Sequence, residues 1–267
     1  MEPGRRVEPD GQGGATVLLD GHPQSHVDLT DPTHLAFEYV AHLAAAVDAL
    51  TTGPLRATHV GGAGLTLPRW LAHTRPGSPQ VVLEPDEALT DLVRRELPLP
   101  RGHRIRVRAV DGRSGMRALK DGSADLVVVD AYAAGQVPPE LSTAAFLADC
   151  ARVLAPGGLF LMNVADEPGL RWVARVAAGV RRALPHVALV ALAEVLKGRR
   201  FGNGVLVASR HPLDVDELRR HLARQPMPAG VLGERELARR TGGARPFTEE
   251  DAQPSPEPPD PGAWRVR

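Results

Sequence analysis

The stretch THVGGAGLTLPRWLAH, residues 58–73, carries glycine at 61, 62 and 64 directly after a short apolar run. A chain gives up side chains in this way where its backbone turns tightly, or where something must approach it closely. Three carboxylates hold the same place relative to later apolar runs. Glu84 closes QVVLE, Asp111 closes IRVRAVD and is followed by Gly112, and Asp130 closes ADLVVVD. Glu84 stands 22 residues after Gly62, a separation at which an acid accepts hydrogen bonds from ribose hydroxyls. Each acid alone equally suits the cap of a following helix, and the glycines alone equally suit close helix-to-strand packing. Together they line one rim, which capping does not predict. The order G-x-G, acid, D-G, D fits a nucleoside site of the S-adenosylmethionine kind. The dinucleotide fingerprint G-x-G-x-x-G is incomplete, because Leu67 takes the place of its third glycine, and no G-K-[ST] of a phosphate-binding loop occurs.

The elements that must position these residues follow a regular rhythm. From residue 57 the chain alternates strand and helix: ATHV, then LPRWLAH; QVVLE, then DEALTDLVRREL; IRVRAVD, then RSGMRALKD. ADLVVVD precedes the helix TAAFLADCARVL, GGLFLMNVA precedes GLRWVARVAAGVRRAL, and HVALVALAE and NGVLVAS are the last two strands. Continuous apolar strands alternating with helices imply a parallel sheet covered on both faces. The expectation is α/β: a doubly wound, mostly parallel, seven-stranded Rossmann-like methyltransferase sheet, with the last two strands as an antiparallel pair on its edge. Before it, ATVLLDGHPQSHVDL reads as a hairpin about Asp20-Gly21. A helix follows with Leu35, Tyr39, Leu43 and Val47 on one face and Asp31 or Thr33 as cap. The expected division is a disordered stretch over 1–14, hairpin and helix over 15–55, the nucleoside-binding domain over 56–225, and an extension over 226–267. LDVDELRRHLAR is a surface helix, and the Pro- and Glu-rich end reads as a disordered tail.

Composition removes other classes. The 267 residues are 43% hydrophobic, enough for a full core, and 32 basic side chains balance 32 acidic ones. That balance argues against a broad nucleic-acid surface. Cys150 is the one cysteine, so no internal disulfide framework forms, and it falls on the apolar face of a helix. His22 and His26 lack the carboxylates of a metal site, and no metal is expected. No run approaches the ~20 apolar residues of a membrane span. The first fourteen residues lack the apolar stretch of a signal peptide, so the expected location is the cytoplasm.

The segments LLDGHPQS, GGAG, VDGRSGMRAL, DLVVVDAY, LSTAAFLADCARVLAPGGLF and GNGVLVAS, in that order over about residues 16–210, resemble spermidine synthases, the aminopropyltransferases. The hairpin with LDGxxQ is the most specific part. The resemblance implies a transferase that uses decarboxylated S-adenosylmethionine as co-substrate, with no tightly bound cofactor, a small amine as acceptor, and a homodimer built on the hairpin. It places Gln24 toward the nucleoside, Asp111 and Gly112 at the adenine, and Asp130 at the reacting centre. The family's ribose acid aligns with Val82 or with Glu84, depending on a small shift, and Glu84 is the expected one, with Asp86 in reserve.

The departures matter as well. The Gly-rich loop of the family includes an aspartate where this chain has Ala63, and its D-x-x-D-P loop here reads DAYA, with Ala133 in place of the second aspartate. The family's Tyr-Gln pair falls near Ala36 and Phe37, and GRRFGNG brings Arg199 and Arg200 where a tyrosine is usual. Asp166, Glu167 and Glu194 are left over and read as solvated loop acids. These changes keep two alternatives open: an S-adenosylmethionine-dependent methyltransferase, or a degenerate member that binds a nucleoside without turnover.

Overall fold

The computed structural model describes residues 4–227 and 229–259. Expectations for residues 1–3, 228 and 260–267 lie outside the described residues.

The chain opens with three strands, β1 (Arg5–Pro9), β2 (Gly14–Leu19) and β3 (His22–Asp28), paired antiparallel in that order. The stretch expected to be disordered thus supplies a strand to what was expected to be a two-stranded hairpin. Its charged, Pro-ended sequence RRVEP suits an edge, where one side of the backbone meets solvent. Arg5 fixes it from outside, because its Nε donates to both oxygens of Asp86 at 2.9 and 2.8 Å.

Helix α1 (Glu38–Leu50) follows. It starts after Phe37 with no side-chain cap; Asp31 instead accepts from the Thr33 amide within its own turn. The alternating domain then runs β4 (Ala57–Val60), α2 (Thr66–Thr74), β5 (Gln80–Leu83), α3 (Glu87–Glu96), β6 (Ile105–Arg108), α4 (Gly112–Ala118) and β7 (Ala124–Val129). It continues with α5 (Ala144–Val153), β8 (Leu154–Asp166), α6 (Arg171–Ala183), β9 (His186–Leu192), α7 (Ala193–Leu196), β10 (Gly202–Ser209), α8 (Val215–Leu222), β11 (Ala229–Leu232) and α9 (Glu234–Thr241).

Among the described residues the sheet has eight strands, ordered β11-β9-β10-β8-β7-β4-β5-β6. The five strands β8-β7-β4-β5-β6 are parallel, while β10 runs antiparallel to both β8 and β9. Two corrections follow: β10 inserts between β8 and β9, and the edge is β11, an eighth strand from a segment expected to lie outside the sheet. One face of the sheet packs on α5 and α6 through Phe146, Leu147, Trp172 and Val176; the other packs on α1, α2 and α8 through Leu43, Trp70, Leu71 and Leu218. Cys150 is fully buried as expected, and burial pushes its thiol pKa up.

The tail is also ordered as far as it is described. Phe247 is buried, and its carbonyl accepts from the Ala144 amide at 2.9 Å. The Arg175 guanidinium lies 3.9 Å above the Phe247 ring and pairs with Asp251. Trp172 Nε1 donates to the Gln253 carbonyl at 3.0 Å. Buried Ser255 brackets Val137: its hydroxyl accepts the Val137 amide at 2.9 Å, and its amide donates to the Val137 carbonyl at 3.2 Å. Gln136 Nε2 donates to the Ser255 carbonyl, and Pro258 lies against Gly135. The tail is therefore a strap over α5 and α6 that ends on the loop after β7.

Gly112 shows how tightly the sheet's carboxyl end is packed. A Cβ there would lie 2.3 Å from Val60 Cγ1, on a stiff, buried, β-branched side chain. Gly112→Ala is expected to lower unfolding free energy by about 1–3 kcal/mol in urea titration, the usual cost of overpacking.

Candidate active site

Strand order reverses between β7 and β4, since β4 leads to β5 and β6 on one side while β7 leads to β8 on the other. Open parallel sheets bind ligands in the crevice that such a reversal leaves at the carboxyl ends. Gly61 follows β4 and Asp130 follows β7, with the Asp130 amide donating to the Val60 carbonyl at 2.8 Å. Gly61 has φ +87°, and a Cβ there would fall 2.1 Å from the Asp130 carbonyl oxygen. The glycine is needed twice, for the left-handed backbone and for the contact.

The other loop residues divide by task. The Gly62 and Ala63 amides donate to Glu84 Oε2 at 3.0 and 3.3 Å, and the Asp86 amide donates to Oε1 at 3.0 Å. A carboxylate offers about four acceptor positions, so Glu84 braces the loop and keeps one free. The Gly64 amide donates to Ser25 Oγ at 2.7 Å, and a Cβ on Gly64 would meet Ser25, Val27 and Val17. Gly64 is thus where the small sheet docks on the loop. Gln24, beside Ser25, donates to the His22 carbonyl at 3.2 Å and is half-buried. Asp86 caps α3 through the Leu89 amide and holds Arg5, so it ties α3 to β1. Asp111 is exposed and caps α4 through the Ser114 amide at 2.8 Å, which keeps its carboxyl below the usual range.

Asp130 differs from the other acids. Its Oδ1 accepts from Asn163 Nδ2 at 2.9 Å, and Asn163 Oδ1 accepts from Asn203 Nδ2 at 3.3 Å. Burial raises its pKa to about 6 against the pull of the Asn163 hydrogen bond. The two tyrosines of the chain, Tyr39 on α1 and Tyr132 two residues past Asp130, share its surroundings. Burial first, and the Asp130 charge second, hold both phenols well above their ordinary pKa. The Tyr132 hydroxyl is buried without a hydrogen-bond partner among the described residues.

Sequence reasoning missed this shell. The family's Tyr-Gln pair was placed near Ala36 and Phe37, which precede α1; the aromatic that α1 brings near Asp130 is Tyr39. Asn163 had a visible signal, a lone amide inside the apolar run LFLMNVA. Asp166 was expected to be solvated, yet it is buried, accepting from the Glu167 and Val173 amides at the start of α6. Glu194 is the exposed acid expected, and it pairs with Arg199, so that arginine brings no uncompensated charge. Among the described residues no cluster of His, Cys, Asp and Glu could hold a metal ion.

Asn163→Leu removes the donor that stabilises the Asp130 anion while keeping the volume. The Asp130 pKa is then expected to rise above about 6, read from the carboxyl-carbon NMR titration. An unchanged titration would show that the hydrogen bond does not hold it.

No family model matches the chain. The polyamine aminopropyltransferase of Chromobacterium violaceum is 26% identical over 141 residues, covering 52% of this chain and 53% of that protein. The chain therefore spans about half the length of the curated relative it matches. Spermidine synthase from Thermotoga maritima aligns with TM-score 0.60 at 16% identity over 91% of this chain and 84% of its own. Human methyltransferase-like protein 13, solved in complex with SAH, aligns with TM-score 0.54 at 22% identity over 79% of this chain and 93% of its own. These two show the fold, the methyltransferase-like sheet expected from the sequence. A probable spermidine synthase from Corynebacterium glutamicum aligns with TM-score 0.86 at 31% identity, over 93% of this chain and 94% of its own. With that identity sustained over nearly the whole of both chains, this chain belongs to the spermidine synthase family.

Proposed function

We propose that the chain is an aminopropyltransferase that takes decarboxylated S-adenosylmethionine as donor and a small amine as acceptor. The observation that carries this reading is Asp130: a carboxylate at the strand reversal, fixed by Asn163, with a pKa of about 6. A base is most effective when its pKa lies near the working pH. Asp130 holds the acceptor ammonium and takes its proton. The freed nitrogen attacks the propyl carbon bound to the sulfonium, the carbon–sulfur bond breaks, and methylthioadenosine leaves with the electron pair. Tyr39 and Tyr132 wall the amine, their faces suited to a cation. Glu84 offers its free acceptor position to the ribose, Gly61 and Gly62 lie under the nucleoside, Gln24 closes it from the small sheet, and Asp111 with Gly112 meets the adenine. Asp86 stays with Arg5 and outside the pocket. The small sheet is the surface for a homodimer, and the setting is the cytoplasm; among the described residues no helix is long and apolar enough to cross a membrane.

A second reading rests on Ala63. Its backbone amide serves Glu84 and it has no carboxylate for an aminopropyl ammonium, which favours S-adenosylmethionine itself and methyl transfer. Calorimetry with methylthioadenosine, S-adenosylmethionine and its decarboxylated form separates the readings. The first expects methylthioadenosine and the decarboxylated donor to bind more tightly than S-adenosylmethionine. Asp111→Asn, which keeps the α4 cap, is expected to weaken methylthioadenosine by about 1–3 kcal/mol. No heat with any of the three at millimolar concentration would end the nucleoside reading, leaving the glycines as packing.

A further inference from the structure

At the opposite end of the strands from Asp130, the sheet carries a cleft of about 680 Å³ beside its β6 edge. The cleft lies where the end of the seven-residue α4 meets the amino-terminal ends of β5 and β6. Val81, Ala118 and Leu119 give it an apolar floor. Its rim carries Arg56, His103, Arg104, Arg106, Arg108 and Lys120, and no carboxylate lines it. Arg56 is paired with Asp125, and Arg104 donates to the Gly77 carbonyl at 3.0 Å. The side chains of Arg106, Arg108 and Lys120 have no hydrogen bond or ion pair among the described residues. In a chain of balanced charge, that segregation leaves a positive field over an apolar floor. Arg104 immediately precedes β6, and Arg106 and Arg108 alternate with Ile105 and Val107 along it, so the spacing puts the three arginines on one side.

We propose that this cleft binds a multivalent phosphate anion joined to an apolar ring, the chemistry of a nucleoside triphosphate. Guanidinium groups pair bidentately with phosphate oxygens, and the floor takes the ring. The site is separate from the nucleoside crevice and does not depend on the transferase reading.

The test is calorimetry of the full chain with ATP and with inorganic tripolyphosphate, with methylthioadenosine titrated into the same samples. Both phosphates are expected to bind, ATP more tightly because only it uses the floor. The double substitution Arg106→Thr and Arg108→Thr, chosen to suit a strand, is expected to weaken both at least about tenfold, with the melting temperature and methylthioadenosine affinity unchanged. Lys120→Glu, in a loop and away from the sheet, is expected to act in the same direction. Absence of heat with either phosphate at millimolar concentration would overturn the proposal and leave the arginines as guards of an exposed sheet edge. ATP binding that ignores the arginine substitutions and is displaced by methylthioadenosine would overturn it too, since that binding belongs to the crevice. Failure of methylthioadenosine to bind bears on the transferase reading alone.

Discussion

Asp130→Asn is expected to leave nucleoside affinity within about twofold while turnover falls by about 10²–10⁴-fold, the usual worth of a positioned base. The amide has the shape of the carboxylate and still accepts the Asn163 hydrogen bond, so the crevice keeps its form. In the wild type, kcat/KM is expected to decline as pH falls through about 6, where Asp130 takes up its proton. The stability effect has the opposite sign from that of a capping acid. Burial makes the folded state bind this proton more readily than the unfolded chain, whose carboxyl titrates near the ordinary 3.8. Stability from this group is therefore lost as pH rises from about 4 to about 6, and stays lost above. Asparagine carries no charge to bury, so Asp130→Asn should gain on the order of 2–3 kcal/mol at pH 7 and almost nothing at pH 3. A purely capping aspartate would show little change at either pH, since asparagine caps as well. Urea unfolding at the two pH values, with a steady-state assay, distinguishes them.

Gly61→Ala is expected to cost about 3–5 kcal/mol and to abolish nucleoside binding, by combining backbone strain with overpacking. Gly61 sits at φ +87°, and its added Cβ would lie 2.1 Å from the Asp130 carbonyl oxygen and 2.9 Å from Ala131 Cα. Both neighbours are backbone, so the two sides of the crevice must separate. Gly53→Ala is the control: φ is +68° and no atom lies within 4 Å, so only the conformational cost of about 1–2 kcal/mol remains. The difference between the two substitutions measures the close approach. Equal losses would show that the loop moves aside freely.

Much of the fold was legible because β4, β5 and β7 are short apolar runs, β8 carries a long one, and helices of clear period separate the strands. The insertion of β10 was not, because strand order depends on partners distant in sequence. AGVL, the eighth strand, is four residues with a glycine, too short to carry a pattern of its own. The ends of the chain were misread for a related reason. RRVEP and the Pro-rich tail look solvated by composition, yet each is held by a few isolated anchors, Arg5 on Asp86 and then Phe247 and Ser255, which leave no periodic trace. In the site, the three acids Glu84, Asp111 and Asp130 lie just beyond strand ends, and Asp86 follows two residues after Glu84. Their tasks could not be told apart, since a helix cap and a ligand contact both call for a carboxylate after a strand. Asp86 and Asp111 turned out to cap helices, Glu84 to brace the glycines, and Asp130 alone to keep a raised pKa. Tyr39 and Asn203 reach the site through tertiary packing, which local pattern does not record.

The strap bears on how the molecule is completed during synthesis. Gln136 and Ser255 are 119 residues apart in the chain, and elements made earlier fold first. The sheet from β4 to β8 can therefore assemble while the loop beside Asp130 still lacks the partner that fixes it. Segments that close over long sequence separations form late and open first. The crevice is thus built in two stages: a rigid half formed by the glycine loop and the strand ends, and a flank that takes its shape only after the residues around Ser255 have been made and docked.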